Sequence, residues 1–158
     1  MPLTAEEIRA RDAWFRTHWS EHVPFNNEIG LEITDWQPDL VRARLKYEPR
    51  LSAHDGVFHG GVLATALDTV GGGAVAAGHD YNLGSRFTTV TMTVQYMAVA
   101  PGEPEVIVEG TCTKRGRRLN FSRSSVLTLD GRVLAEAILT ISASGERPRV
   151  GSPEGERS

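Results

Sequence analysis

A histidine and two glycines, His59-Gly60-Gly61, stand directly ahead of an apolar run from Val62 to Ala77, and an aspartate, Asp68, lies inside that run. Leu63, Ala66, Leu67, Val70, Ala74 and Val75 put small or apolar residues on every side of it, the pattern of a helix buried all round. Aspartate is a weak helix former, and its charge is costly to bury unless hydrogen-bonded. Two readings are open. Asp68 faces a wet edge or caps a neighbouring loop, or it is held there as a nucleophile or general base. The His-Gly-Gly turn has a matching pair. Glycines at a helix start leave N–H groups uncovered, and with the positive end of the helix dipole these can receive a developing negative oxygen. Otherwise the turn is a place of close packing.

From His59 to Asp68 is nine residues. At ~100° and ~1.5 Å per residue, that is about half a turn out of phase and roughly 13 Å along the axis. One helix does not bring both groups to one atom. If they cooperate, Asp68 comes from one subunit and the His-Gly-Gly turn from another, so the spacing carries a conditional expectation of a two-fold dimer.

The flanking elements must position this helix. Thr4-Ala5-Glu6-Glu7 reads as a capping box, and Ile8, Phe15 and Trp19, widened by Trp14, follow at helical spacing until Pro24. This is expected to be a peripheral helix, over 1–23. Ile29, Leu31 and Ile33 alternate with polar or small residues, as do Val41, Ala43, Leu45 and Tyr47 with Arg42, Arg44 and Lys46, giving two half-buried strands. Pro49 to Gly56 reads as a loop. After Gly78 come four strand-like runs: Phe87 to Met97, Glu105 to Thr113, Leu119 to Leu129, and Arg132 to Ser142, the last two joined by the hairpin signal Asp130-Gly131. Residues 143–158 read as a flexible tail. Helix, two strands, buried helix, four strands is an α+β plan in which an antiparallel sheet covers one apolar helix.

The chain resembles the hotdog-fold acyl-CoA thioesterases of the PaaI-like, phenylacetate-pathway type. The resemblance is carried by Gly56, His59-Gly60-Gly61 and Asp68, by Pro24 to Gly30 as an opening strand, by Thr88 to Gly102, and by Gly116-Arg117-Arg118-Leu119 and Asp130 to Ala135. It covers 24–142, and it implies a sheet wrapped around one long central helix, with two subunits joining their sheets. It further implies that Asp68 attacks the thioester or activates water, that the Gly60 N–H polarises the carbonyl from the other subunit, and that Thr89 helps place water. His59 belongs to the catalytic set on the same ground; Gly61 and Thr69 are expected to contact substrate. The family commonly carries Asn where this chain has Ala53. His54 beside it either substitutes as a hydrogen-bond donor or is a solvent-facing loop histidine.

Lys114, Arg115, Arg117, Arg118 and Arg123 gather five basic residues without an acid. Arg suits phosphate, and CoA carries a diphosphate and a 3′-phosphate, so Arg117 and Arg118 are candidates for holding it. The competing reading is an exposed turn. His18 and His22 are four apart, half of a zinc spacing without a third ligand, and read as a surface pair. Cys112 reads as core. No nucleophile elbow, P-loop or dinucleotide motif is present.

With 158 residues, the chain has one domain's worth of length. Lys+Arg 17 against Asp+Glu 20 leaves a net charge of −3, which disfavours nucleic acid and anionic membranes as partners. A single cysteine excludes an intrachain disulfide and a multi-cysteine zinc site. The apolar runs are read as too short for a membrane span, and the acidic, polar start is unlike a signal peptide. The expectation is a cytoplasmic homo-oligomer, a dimer or a dimer of dimers, acting on acyl-CoA with no cofactor and no metal. Two alternatives stay beside it: a non-catalytic acyl-CoA-binding protein, favoured by Ala53, and an enoyl-CoA hydratase, weakened because Asp55 and His59 are four apart rather than five.

Overall fold

The strongest alternation lies in the strand Leu40–Lys46, where Val41, Ala43 and Leu45 are fully buried while Arg42 and Arg44 face water. Arg44 meets Glu32 on one side at 2.7 Å and Arg42 meets Glu109 on the other at 2.6 Å, each directly opposite its partner in register. Such cross-strand pairs help fix register more than they add stability. This strand is the second of a six-stranded antiparallel sheet in a computed structural model that describes residues 4–79 and 86–144.

The elements, in chain order, are α1 (Ala5–Thr17), a π-helical turn (His18–His22), α2 (Pro24–Ile29), β1 (Leu31–Gln37), β2 (Leu40–Lys46), a 3₁₀ turn (Pro49–Leu51), β3 (Ser52–His54), β4 (Val57–Phe58), α3 (Gly60–Ala77), β5 (Arg86–Tyr96), β6 (Glu105–Lys114), β7 (Leu119–Leu127) and β8 (Val133–Ser144). The main sheet runs β1-β2-β6-β7-β8-β5, and β3-β4 form a small hairpin of their own. The sheet wraps α3, whose Ala66, Leu67, Val70, Ala74 and Val75 are fully buried. This is the hotdog architecture expected of the sequence. The 18 residues of α3 are as long and apolar as a short membrane span, but they form the core.

Several expectations are corrected. Pro24 to Gly30 is not an opening strand but the helix α2. Pro24 sits at its first positions, Gly30 closes it in the left-handed conformation at φ 72°, and buried Asn26 donates to the Trp19 carbonyl at 3.0 Å. The stretch read as a loop, Pro49 to Gly56, contains the 3₁₀ turn and β3. Ala143 and Ser144 continue β8 instead of opening a tail, and residues 145–158, the rest of the expected tail, lie outside the described residues. In α1, Thr4 makes the expected capping box and Phe15 is buried with Trp19 just beyond, but Ile8 is exposed.

The glycine triplet of α3 divides by what stands opposite. A Cβ on Gly71 would fall 2.8 Å from a methyl of the buried Leu139 and 3.3 Å from Ser122 Oγ, and one on Gly73 would fall 3.1 Å from the Trp19 ring. Gly72 has room, its nearest neighbour being Ile141 Cδ1 at 4.0 Å. Alanine is favoured over glycine in a helix by about 1 kcal/mol, whereas overpacking costs about 1–3 kcal/mol. Urea unfolding is therefore expected to rank Gly72→Ala above wild type and Gly71→Ala below it. The opposite order would contradict this packing.

Candidate active site

His59 is the N-cap of α3. Its backbone is extended (φ −64°, ψ 132°) and its Nδ1 accepts from the Gly61 N–H at 2.8 Å. An accepting Nδ1 carries no proton, so the neutral ring keeps its proton on Nε2. The His59 N–H donates to the Leu51 carbonyl at 2.8 Å, tying the helix start to the 3₁₀ turn. Gly61, read as a substrate contact, has its N–H engaged by the His59 ring. Gly60 begins the helix, where the N–H has no intrahelical acceptor, and it has no partner among the described residues. Of the two glycines, Gly60 is the one with an N–H to offer.

Eight residues on, Asp68 lies on the only stripe of α3 that the sheet leaves open, together with Gly61, Thr65, Thr69 and Gly72. It is half-buried, and its Oδ1 accepts from Thr89 Oγ1 on β5 at 2.7 Å. The aspartate therefore sits at an open edge and has a hydrogen-bond partner. Thr89 spends its proton on one carboxylate oxygen, which orients the carboxylate and leaves Oδ2 outside that bond. Along one helix the two stations are roughly 12 Å apart, so the structure brings together Asp68 with Thr89, and His59 with Gly60 and Gly61, but does not bring the two groups to each other within the chain. Thr69 is half-buried next to Asp68.

His54 is exposed on β3, in the hairpin that leads into α3. Arg117 and Arg118 are exposed in the β6–β7 turn, at the opposite end of α3. Arg115 leaves that basic group. Its guanidinium pairs with Asp39 and donates to the Val75 carbonyl at 3.0 Å, closing the negative end of the helix. Lys114, Arg117, Arg118 and Arg123 stay in water. Burial raises the thiol pKa of half-buried Cys112. His18 stacks between Trp14 at 4.9 Å and His22 at 5.4 Å.

Tyr96 was missed in the sequence. Its hydroxyl donates to the Gly60 carbonyl at 2.9 Å from the far end of β5. Thr89 and Tyr96 are seven residues apart, so a regular strand sends them to opposite faces. A bulge between Thr89 and Thr91 absorbs one residue, and both then face the helix, Thr89 opposite buried Ile141 and Tyr96 opposite buried Ala135.

A buried central helix in an antiparallel wrap, with an aspartate on its open stripe and a helix-start N–H without a partner among the described residues, defines a protein of the hotdog fold. The family model of the thioesterase superfamily matches residues 55–135, and the chain belongs to that superfamily. That span contains Gly60, Asp68, Thr89, Tyr96, Arg117 and Arg118, and stops one residue short of His54. The medium/long-chain acyl-CoA thioesterase YigI of Escherichia coli K12 is 27% identical over 132 residues, 75% of this chain and 84% of its own. A thioesterase family protein of Silicibacter pomeroyi has the same fold with a TM-score of 0.76 at 23% identity, over 84% of this chain and 97% of that one. Thioesterase HI1161 of Haemophilus influenzae gives 0.73 at 19% identity, over 92% and 93%.

Proposed function

We propose that the chain is an acyl-CoA thioesterase that releases a free acid and CoA, within a catalytic unit of residues 24–142. The observation that carries this is Asp68, held by Thr89 at 2.7 Å on the open stripe of an otherwise buried helix, in a member of the thioesterase superfamily. Asp68 takes a proton from water as the hydroxide adds to the thioester carbon. The oxyanion is received by the Gly60 N–H of a second subunit. Collapse breaks the C–S bond, and the proton on Asp68 passes to the leaving sulfur. Direct attack by Asp68 gives a mixed anhydride that water then opens, with the same products. Neither route uses a metal or cofactor.

The dimer is supported by the separation of the two stations and by β5, which ends the sheet with its outer edge unpaired among the described residues. Pairing two such edges makes a homodimer, and further pairing of dimers a tetramer. The acyl group is aryl or short to medium chain on the PaaI-like reading, and the name of the YigI relative extends the range to longer chains. Thiol release followed with DTNB over acetyl-, hexanoyl-, decanoyl- and phenylacetyl-CoA tests the proposal. Hydrolysis of at least one is expected. Binding of all without release favours the acyl-CoA-binding reading, which Ala53 supports.

The exposed Arg117 and Arg118 are assigned to the CoA phosphates. Charge reversal at both is expected to raise KM for acyl-CoA roughly 5–10-fold, the scale of one charge-assisted hydrogen bond weakened by water. KM for the corresponding acyl-pantetheine, which lacks those phosphates, should not change. An unchanged KM for acyl-CoA removes the assignment.

A further inference from the structure

We infer that Tyr96 is a positioning residue for the Gly60 N–H; this rests on the thioesterase reading above. The start of α3 has conflicting requirements. Consecutive glycines keep side chains away from the donor, but glycine has the largest backbone freedom, and the first turn of a helix is where fraying occurs. A hydrogen-bond donor speeds reaction only if it is already oriented when charge develops.

The structure holds this turn at four points. The His59 N–H reaches the Leu51 carbonyl at 2.8 Å, the Gly61 N–H reaches His59 Nδ1 at 2.8 Å, and Thr65 Oγ1 reaches the Gly61 carbonyl at 2.9 Å. The fourth is the Tyr96 hydroxyl on the Gly60 carbonyl, at 2.9 Å. Only this last contact anchors the turn to the main sheet. Together with His59 it grips the peptide between Gly60 and Gly61 from both sides, carbonyl and N–H. That fixes the torsions of Gly60 and with them the direction of its own N–H. The ring adds to this by lying 3.4–3.5 Å from where a Gly60 side chain would start. Tyr96 itself is 55% exposed, so core packing does not account for its placement. The bulge after Thr89 points the same way, because it lets one strand aim one hydroxyl at Asp68 and another at Gly60.

Tyr96→Phe in the full chain keeps the ring and removes only the hydroxyl. With any acyl-CoA the wild type hydrolyses, kcat is expected to fall about 10-fold, the equivalent of one oriented hydrogen bond, with KM within about 2-fold. The fold-loss should be the same for every acyl group, since the hydroxyl acts on the thioester common to them all. Amide exchange at Gly61 should quicken, with the thermal midpoint and assembly unchanged. A variant with full kcat overturns the inference, as does a lower thermal midpoint with kcat preserved. So does a loss confined to one acyl group, which would make the ring a wall of the acyl pocket. Failure of the underlying reading looks different: the wild type would release no thiol from any acyl-CoA.

Discussion

Asp68→Asn is expected to lower kcat by roughly 10²–10⁴-fold, the range spanned by loss of a positioned general base. The substitution is close to isosteric, and an asparagine Oδ1 still accepts from Thr89 Oγ1, now at 2.7 Å from Asp68. The neutral amide can neither take a proton from water nor attack a thioester. Because the side chain is half-buried at an open edge, no charge is left stranded in the core, and stability in urea should change by less than about 0.5 kcal/mol. KM should change little. The two measurements separate chemistry from folding. An Asp68→Asn enzyme with undiminished kcat would sink the assignment of Asp68 as base or nucleophile.

Gly60→Pro is expected to cost about 10²–10³ in kcat, the usual consequence of losing an oxyanion donor. Proline removes one atom of interest, the N–H hydrogen, at a position built to tolerate the exchange. Gly60 is the first residue of α3, where proline is favoured, and His59 already holds the extended conformation that proline imposes on its predecessor. The variant therefore folds, which circular dichroism and the thermal midpoint can check. Mixing it with Asp68→Asn after unfolding and refolding together tests the shared site. Random pairing makes about half the dimers hybrid, and each hybrid holds one site with an intact Asp68 from one subunit and an intact Gly60 from the other. About a quarter of wild-type activity should return, the binomial fraction for a two-fold dimer. No recovery would place both groups in one chain and overturn the dimeric site.

The sheet and the central helix were legible because both leave a periodic trace. Val41, Ala43 and Leu45 alternate with arginines, and α3 is small or apolar apart from Thr65, Thr69 and its one charged residue, Asp68. Asp68 and Gly60 stood out for the same reason, as residues that break a pattern. What escaped the sequence depends on distant contacts. Pro24 to Gly30 was expected as a strand on the resemblance alone, and it is helical because Asn26 reaches back to the Trp19 carbonyl and Gly30 closes the turn. Arg115 is the same residue type as Arg117 and Arg118; it is singled out by lying beneath the last carbonyls of α3. Tyr96 was hidden by parity, since nothing in Thr88 to Tyr96 announces the bulge that turns it toward the helix.

That bulge has a consequence for how the chain can change in length. Val90 is the residue it sets aside, more than half exposed in an edge strand, and by ordinary criteria it is the most expendable residue of the region. Deleting its codon would leave a shorter, more regular strand with one exposed valine fewer. Thr89 and Tyr96 would then stand six positions apart, an even spacing that keeps both on the face toward α3 with no bulge at all. What the two hydroxyls require is even parity between them, and the bulge is how a spacing of seven meets that requirement. Chains that differ by one residue here can therefore wire the helix in the same way, with the bulge present for an odd spacing and absent for an even one.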